Sequence, residues 1–199
     1  MFTGIIEATG QIKSISNHGE DSRYVFNTDK LELNDIAIGD SIAVNGCCLT
    51  VIEKSSDTFS ADLSAETLSV TGFRFLDEGS MINLERAMQL SDRINGHLVS
   101  GHVDGLGKVI AINEDGRSIR FEFQIPGSLI KYVSQKGSVT IDGVSLTINS
   151  VSNEQLSVNI IPHTLQETIF QHYQINTHVN IEIDMLARYV EQLINYEDK

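Results

Sequence analysis

Apolar and polar residues alternate along much of the chain, which is the pattern of β-strands whose two faces meet different surroundings. Other regions are rich in valine and isoleucine and interrupted by glycine, which also favours strands. Turn-forming residues, such as His18-Gly19 and Glu114-Asp115-Gly116, separate these regions. The pattern predicts strands over the following ranges: Gly4–Ser16, Ser41–Glu53, Thr58–Leu63, Met81–Glu85, Gly101–Ile112, Ser138–Val151, Leu156–Ile161 and Val179–Ile183.

Helical patterns are short except at the C-terminus. One short helix is predicted over Ser128–Ser134, with Ser128 as its N-cap and Gly137 beyond its end. A second is predicted over Ala65–Val70, and its copy lies in the other half of the chain. The C-terminal residues show the i, i+3, i+4 spacing of an amphipathic helix at these positions: Met185, Leu186, Tyr189, Val190, Leu193 and Ile194.

The two halves of the chain are copies of each other. Sliding the sequence by 97 residues aligns Gly4–Glu85 with Gly101–Glu182 without a gap and gives 18 identities, where about five are expected by chance at average composition. The repeat predicts a first domain over 1–97, a second over 98–183 and a C-terminal helix over 184–199. Many short strands in a unit of about 100 residues form either a small closed barrel or a sandwich.

Composition narrows the class of protein. The 199 residues are 41% hydrophobic and carry a net charge of −13, which argues against a nucleic acid or an anionic membrane as a partner. The start of the chain lacks the basic residues of a secretory signal, and no apolar run approaches the ~20 residues of a membrane span. The two cysteines, Cys47 and Cys48, are adjacent and point to opposite faces of a strand, so they do not pair with each other. We expect a reduced, cytoplasmic protein.

Two matched loops carry the candidate chemistry. Asn45–Val51 and Asp142–Ile148 each place a small polar atom, an apolar side chain and a hydroxyl after a turn, as a binding loop would. The copies differ at reactive positions, because Cys48 aligns with Ser145, and His102 aligns with Ile5. The sequence has no phosphate-binding glycine loop, no nucleophile elbow and no metal-ligand spacing, so we expect no metal and no organic cofactor.

Six motifs together resemble the riboflavin synthase family, whose members are double barrels that bind lumazine. The resemblance covers essentially the whole chain, and one small departure is Asn95-Gly96-His97, where the family often has Gly-Gly-His. The motifs are Met-Phe-Thr-Gly-Ile-Ile-Glu, Asn-Gly-Cys-Cys-Leu-Thr-Val, Asn-Leu-Glu-Arg-Ala-Met, Gly-His-Leu-Val-Ser-Gly-His-Val-Asp-Gly, Ile-Asp-Gly-Val-Ser-Leu-Thr-Ile and Ile-Pro-His-Thr-Leu.

The resemblance implies an all-β fold of two tandem Greek-key β-barrels with a C-terminal α-helix. It implies a transferase that dismutates two molecules of 6,7-dimethyl-8-ribityllumazine, the last step of riboflavin biosynthesis. One molecule passes a four-carbon unit to the other, which gives riboflavin and 5-amino-6-ribitylaminouracil. It also implies a homotrimer held by the C-terminal helices, and it leaves open an association with lumazine synthase.

The resemblance also implies roles for individual residues. Cys48, His102 and Ser41 take catalytic roles. The residues implied to contact substrate come from both copies: Gly4, Ile5, Ile6, Cys48, Leu49, Thr50, Asp62, Leu63, Ser64, Ala65, Glu66, Thr67, Gly101, His102, Val103, Lys136, Ser145, Leu146, Thr147, Ile161, Pro162, His163, Thr164, Leu165 and Gln166.

Each assignment has a plainer alternative. Cys48 is a nucleophile or ring contact, or a small buried apolar residue, and His102 is a proton shuttle or a structural histidine. Ser41 is a polar site group or a strand start, and Lys136 reaches a ligand across a subunit boundary or is solvated. The C-terminal helix drives association or covers a barrel end.

Two rival functions remain at this point: a non-catalytic antenna protein that binds lumazine or flavin, and a barrel pair that binds oligonucleotides or oligosaccharides. The acidic charge and the lack of an aromatic and basic surface argue against nucleic acid.

Overall fold

The computed structural model describes residues 1–197 and contains thirteen strands and three α-helices in this part of the chain. The first copy holds β1 (Ala8–His18), β2 (Asp21–Asn27), β3 (Ser41–Val44), β4 (Cys47–Thr50), β5 (Glu53–Lys54), β6 (Thr58–Leu63), α1 (Ala65–Val70) and β7 (Met81–Arg86). The second holds β8 (Gly105–Asp115), β9 (Ser118–Gln124), β10 (Ser138–Ile141), β11 (Val144–Ser152), β12 (Gln155–Ile160), α2 (Pro162–Glu167) and β13 (His178–Ile183), followed by α3 (Met185–Glu197).

The two copies have the same strand connectivity, but only the second is a closed six-stranded barrel. The second is a closed barrel in the order β10-β11-β12-β9-β8-β13. The first is a sheet in the order β4-β3-β7-β1-β2-β6-β5, because the counterpart of β11 is divided into β4 and β5. The ladder continues across this division, since the Ile52 amide donates to the Ser60 carbonyl at 2.9 Å. The predicted class, two tandem β-barrels with a C-terminal helix, is therefore confirmed.

Several predicted elements need correction. The sequence pattern missed β2 and β9, whose exposed faces carry charged and polar residues beside a buried aromatic face. The single strand predicted over Ser41–Glu53 is the hairpin β3–β4 followed by β5, because Asn45 and Gly46 both have positive φ values, 46° and 75°, and reverse the chain. The predicted helix Ser128–Ser134 is a 3-10 helix, Gly127–Tyr132, in which Ser128 makes no N-cap.

Each barrel buries its own apolar core. Aromatic side chains fill both interiors, and burying one such side chain contributes about 1.5–3 kcal/mol. The largest fully buried rings are Phe26, Phe59 and Phe73 in the first barrel, and Phe121, Phe123 and Phe170 in the second. Stability therefore resides in two separate clusters, and the outer faces of the hairpins are left for other contacts.

The two barrels pack against each other through a reciprocal set of amide contacts. Asn83 Nδ2 donates to the Asp142 carbonyl at 2.9 Å, and Asn180 Nδ2 donates to the Asn45 carbonyl at 2.8 Å. Gly46 and Gly143 meet at the centre, where a Cβ on Gly46 would lie 2.6 Å from the Gly143 amide nitrogen. Because only glycine allows this approach, the repeat keeps glycine in both hairpin turns.

The C-terminal helix α3 leaves its apolar side exposed. Leu186, Tyr189, Val190, Leu193 and Ile194 are all more than half exposed. The last two residues of the predicted helix 184–199 lie outside the described residues. Within residues 1–197, no helix combines the length and the apolar composition that crossing a membrane requires.

Candidate active site

The outer face of the hairpin β3–β4 forms the floor of the first site. Ser41 lies opposite Thr50, and Ala43 opposite Cys48, so Ser41, Cys48 and Thr50 share one face. The alternate positions, including Leu49, point into the barrel core. Cys47 also points inward, and burial raises the pKa of its thiol to about 12. Of the two adjacent cysteines, only Cys48 faces the site.

The second wall of this site comes from the other half of the chain. The Gly101 carbonyl accepts a hydrogen bond from the Cys48 amide at 2.8 Å. Gly101 has φ +81°, and a Cβ there would lie 2.6 Å from the Cys48 Cβ, so the position requires glycine. Next along the chain, His102 is exposed, and Val103 packs on the first barrel's core. The structure thus places Ser41 and Cys48 on one face of the first barrel, and His102 follows the glycine that bonds to Cys48.

The second site has the same construction in reverse. The Ser145 amide of the β10–β11 hairpin donates to the Gly4 carbonyl at 2.7 Å, and a Cβ on Gly4 (φ +75°) would lie 2.6 Å from the Ser145 Cβ. Ile6 packs on the second barrel's core, while Ile5 is 44% exposed. Thr147 is exposed on the same face as Ser145. Residues 2–6 and 99–103, which we call the crossing segments, therefore each complete the site of the opposite barrel.

The crossing segments also bind each other. Phe2 and Val99 form an antiparallel bridge, with amide-to-carbonyl distances of 2.8 and 3.1 Å. Gly4 and Gly101, which the resemblance assigns to substrate contact, both approach the hairpin of the opposite barrel closely, at Ser145 and Cys48 respectively.

A short helix after the strand β6 or β12 borders each site. The β11–β12 register pairs Ile148 with Val158, and α2 starts two residues after the end of β12. Most of the predicted contact residues of this region are accessible, but Leu63 is fully buried in the core, so only its backbone is available. The predicted sets are Asp62, Leu63, Ser64, Ala65, Glu66 and Thr67 in the first copy, and Ile161, Pro162, His163, Thr164, Leu165 and Gln166 in the second.

Lys136 stands at the edge of the second site in a strained conformation. Its φ is +69°, a region that favours glycine, and its counterpart in the first copy is Gly39 with φ +98°. The Lys136 amide donates to the Ile148 carbonyl at 2.8 Å, which fixes the backbone there. A non-glycine residue in this region costs about 1–2 kcal/mol. The second copy thus has backbone strain at Lys136, the residue that also carries an ammonium group.

Sequence reasoning missed His97. His97 Nδ1 forms a hydrogen bond with Ser145 Oγ at 2.7 Å, in the second site. Burial lowers the pKa of His97, while the charge of Asp184 opposes the shift. Burial therefore favours the neutral form of the imidazole that contacts the Ser145 hydroxyl. Nothing local to His97 signals this contact, because its partner lies in the other copy.

Asp142 and Asp184 make structural contacts away from the two hairpin faces. Asp142 is buried at the junction of the barrels, where it accepts from the Tyr173 hydroxyl and from the Asn180 amide. Asp184 caps the start of α3 through the Leu186 amide at 3.0 Å. Within the described chain, no group of three or more His, Cys, Asp or Glu side chains is arranged to hold a metal ion.

The class of this protein is defined by two barrels, each of whose sites is completed by a crossing segment from the other half of the chain. The model of the lumazine binding domain matches the chain twice, over residues 3–87 and 100–184. Each match spans one barrel and includes the crossing segment that precedes it. The chain is thus built from two lumazine-binding domains.

Relatives of nearly the same length narrow the class. The chain is 51% identical to the riboflavin synthase of Photobacterium leiognathi, over 99% of this chain and 90% of that one. It is 48% identical to that of Photobacterium phosphoreum (98% and 89%) and 43% identical to that of Bacillus subtilis strain 168 (98% and 90%). The chain belongs to the riboflavin synthase family.

Solved structures agree with the double-barrel architecture. The crystal structure of LumP complexed with 6,7-dimethyl-8-(1'-D-ribityl) lumazine matches with a TM-score of 0.83 at 28% identity, over 92% of this chain and 99% of that one. LumP complexed with riboflavin matches with a TM-score of 0.85 at 28% identity, over the same shares of the two chains.

Proposed function

We propose that this protein is a riboflavin synthase, a transferase that converts two molecules of 6,7-dimethyl-8-ribityllumazine into riboflavin and 5-amino-6-ribitylaminouracil. The observation that carries the proposal is the pair of sites in one chain. Both have the same hairpin, helix and crossing segment, but they differ at Cys48 and Ser145 and at His102 and Ile5. Two sites of the same construction can bind two molecules of the same substrate. Because the side chains differ between the sites, one molecule can donate the four-carbon unit and the other can accept it.

The reaction needs two rings held together and protons moved between them. Holding two reactants in place is worth up to about 7–11 kcal/mol of the barrier. The methyl group at C7 of the lumazine is acidic because the pteridine ring delocalises the carbanion, so a nearby base suffices to remove its proton. The reaction as proposed uses no metal and no organic cofactor.

The first site supplies the groups for proton transfer. The exposed His102 imidazole follows the Gly101–Cys48 hydrogen bond directly, so it lies at the hairpin face that carries Cys48 and Ser41. We assign His102 as the proton shuttle, Cys48 as the nucleophile or ring contact, and Ser41 as a supporting polar group. In the second site, Ser145, Thr147 and Lys136 hold the partner molecule.

The proposal includes assembly into a homotrimer, in which the first barrel of one protomer faces the second barrel of the next. The exposed apolar residues of α3 support association, because a stripe of this kind on an otherwise acidic protein disfavours a monomer. Sedimentation equilibrium measures the mass directly, and Leu193→Asp gives monomers if α3 forms the contact. Wild-type protein that sediments as a monomer contradicts this part of the proposal.

Antenna function is the second candidate. It is favoured by the likeness to LumP, whose crystal structures hold a lumazine, riboflavin and flavin mononucleotide. An antenna protein binds without turnover, so purified protein incubated with 6,7-dimethyl-8-ribityllumazine alone separates the two. Riboflavin that appears as lumazine disappears supports the enzyme. Bound fluorescence with no riboflavin supports the antenna.

Three further expectations belong to the proposal. Exhaustive dialysis against a chelator leaves turnover unchanged if no metal takes part, and restoration by a single metal would contradict this. Association with lumazine synthase is a prediction from the resemblance, which co-purification of the two chains tests. A cytoplasmic location is likewise a prediction, which cell fractionation tests.

A further inference from the structure

Each barrel buries one carboxylate in its last strand. Glu85 in β7 is 4% exposed and Glu182 in β13 is 3% exposed. Within the described chain, no lysine or arginine forms an ion pair with either carboxylate. A buried carboxylate without a cation is unfavourable unless several donors surround it. These two groups therefore need a set of hydrogen-bond donors, and in both barrels the donors come from a crossing segment.

The donors occupy equivalent positions in the two copies. Glu85 Oε1 accepts from the Thr3 amide at 2.7 Å and the Thr3 hydroxyl at 2.9 Å, and Glu85 Oε2 accepts from the Gly4 amide at 3.1 Å. Glu182 Oε1 accepts from the Ser100 amide and hydroxyl, both at 2.7 Å, and Glu182 Oε2 accepts from the Gly101 amide at 3.0 Å. Both oxygens of each carboxylate are used, which fixes the segment in position and orientation.

The other edge of each segment forms part of the opposite site. The Gly4 carbonyl accepts from the Ser145 amide of the second barrel, and the Gly101 carbonyl accepts from the Cys48 amide of the first. The residues that follow each glycine then lie on that opposite barrel, as the packing of Ile6 and Val103 shows. A carboxylate in one barrel thus holds the segment that completes the site of the other.

We propose that Glu85 and Glu182 are positioning residues that act across the barrels: Glu85 orders the second site through Gly4–Ile6, and Glu182 orders the first site, with His102, through Gly101–Val103. Every hydrogen bond that the two carboxylates accept comes from a crossing segment, so we assign them to positioning and not to catalysis. Replacement by glutamine keeps the size but changes one acceptor oxygen into a donor, which then faces an amide or hydroxyl donor. The substitutions Glu85→Gln and Glu182→Gln are therefore the tests.

Amide hydrogen exchange measured in the whole protein, without any ligand, reads the effect at a distance. Loss of one hydrogen bond worth about 1.4 kcal/mol speeds exchange about tenfold. Glu85→Gln should speed exchange at Ser145 by about this factor or more and leave Cys48 unchanged, and Glu182→Gln should do the reverse. Glu114→Gln, at an exposed glutamate of β8, is the control and should change neither amide. Equal changes at both amides, or no change at the distant one, would overturn the proposal.

Milder substitutions cover the case in which the glutamine variants fail to fold. Thr3→Val and Ser100→Ala each remove one of the three donors to a carboxylate and leave its charge in place. Thr3→Val should speed exchange at Ser145 only, and Ser100→Ala at Cys48 only. An exchange profile identical to wild type in both variants would again overturn the proposal.

A second measurement rests on the proposed function. With 6,7-dimethyl-8-ribityllumazine as the probe, Glu182→Gln should lower kcat for riboflavin formation by about tenfold. Combining it with Gly101→Ala should add little, since both disturb the same segment, whereas combining it with Gly4→Ala should add fully. Full additivity with Gly101→Ala contradicts the proposal. If wild-type protein forms no riboflavin, the proposed function fails, while amide exchange still decides the role of the two glutamates.

Discussion

The two barrels share most of the contacts by which they hold each other and differ at several positions of their candidate sites. Asn83 and Asn180 make the same contacts across the junction, and the amides of Cys48 and Ser145 bind equivalent carbonyls. Several positions of the candidate sites differ: a thiol against a hydroxyl, an imidazole against a sec-butyl group, and a glycine against a lysine. The comparison indicates that the duplication preserved the scaffold, while side chains at the candidate sites diverged.

The strongest way to break this comparison is to remove the imidazole that only the first site has. His102→Gln should lower single-turnover riboflavin formation by about 10²–10⁴-fold, the usual effect of losing a proton shuttle. Lumazine affinity should change only a few-fold, because the hydrogen bond between Gly101 and Cys48 still holds residues 99–103 in place. Ile5→Gln at the aligned position is the matched control and should retain most of the rate. Rate and affinity that fall together in His102→Gln would instead indicate a structural histidine.

Replacing the sulfur of Cys48 tests the comparison between the first hairpin and the second, which has Ser145 at this position. Cys48→Ser gives the first site the side chain of the second, and we expect a rate loss below about tenfold, the effect of one altered hydrogen bond. Cys48→Ala should lose more than this if the sulfur takes part in the chemistry. Stopped-flow absorbance at saturating lumazine measures both. Equal rates for wild type and Cys48→Ala would move the chemistry away from Cys48.

A third difference is the buried acid of the second barrel. Asp142 aligns with Asn45, and burial raises its pKa to about 7, although the Tyr173 hydroxyl and the Asn180 amide oppose the shift. Because the pKa in the folded state lies above the unfolded value of 3.8, the stabilising effect of the proton is complete below about pH 4 and is lost as pH rises towards 7.

Asp142→Asn, which copies the first barrel, should therefore flatten the dependence of stability on pH. Relative to wild type at the same pH, its free energy of unfolding should rise by more than about 1 kcal/mol between pH 4 and pH 7. Urea unfolding at both pH values measures this change. A constant difference between the two proteins would show that Asp142 titrates normally.

The smallest expected effect concerns the strained lysine. Lys136→Gly introduces the residue found at Gly39 and should raise the free energy of unfolding by about 0.5–1 kcal/mol. The strain relieved in the folded state exceeds the conformational entropy that glycine adds to the unfolded chain. Affinity for lumazine should fall several-fold, since the ammonium group is gone. Asn176→Gly, at another positive φ of 77°, is the control and should leave affinity unchanged. A gain in stability without any loss of affinity would mean that Lys136 is only solvated.

Local and repeated features could be predicted from the sequence. The offset of 97 residues gave two equivalent domains, and alternation placed Cys47 and Cys48 on opposite faces of a strand, although Leu49, which the resemblance assigns to substrate contact, points into the core. The C-terminal periodicity predicted α3. The division of Ser41–Glu53 into a hairpin was also within reach, because Asn45-Gly46 is a strong turn signal. These features depend on residues that are close in sequence, so the order of apolar, polar and turn-forming residues is enough to predict them.

The contacts by which each crossing segment completes the site of the opposite barrel could not be predicted in this way. The bonds from Ser145 to Gly4 and from Cys48 to Gly101 join backbone atoms far apart in sequence, and backbone atoms carry no residue-specific signal. The role of His97 depends on the same contacts. The alignment of Glu85 with Glu182 was visible, but its meaning required the positions of Thr3 and Ser100.

The crossing segments also set an order for biosynthesis. A ribosome makes the chain from the N-terminal to the C-terminal side, so residues 2–6 are made well before the hairpin of residues 138–147 that they bind. The first barrel has all its strands once Arg86 is made, yet its site is completed only by residues 99–103. During synthesis the first site is therefore completed before the second, although residues 2–6, which belong to the second, are made earlier.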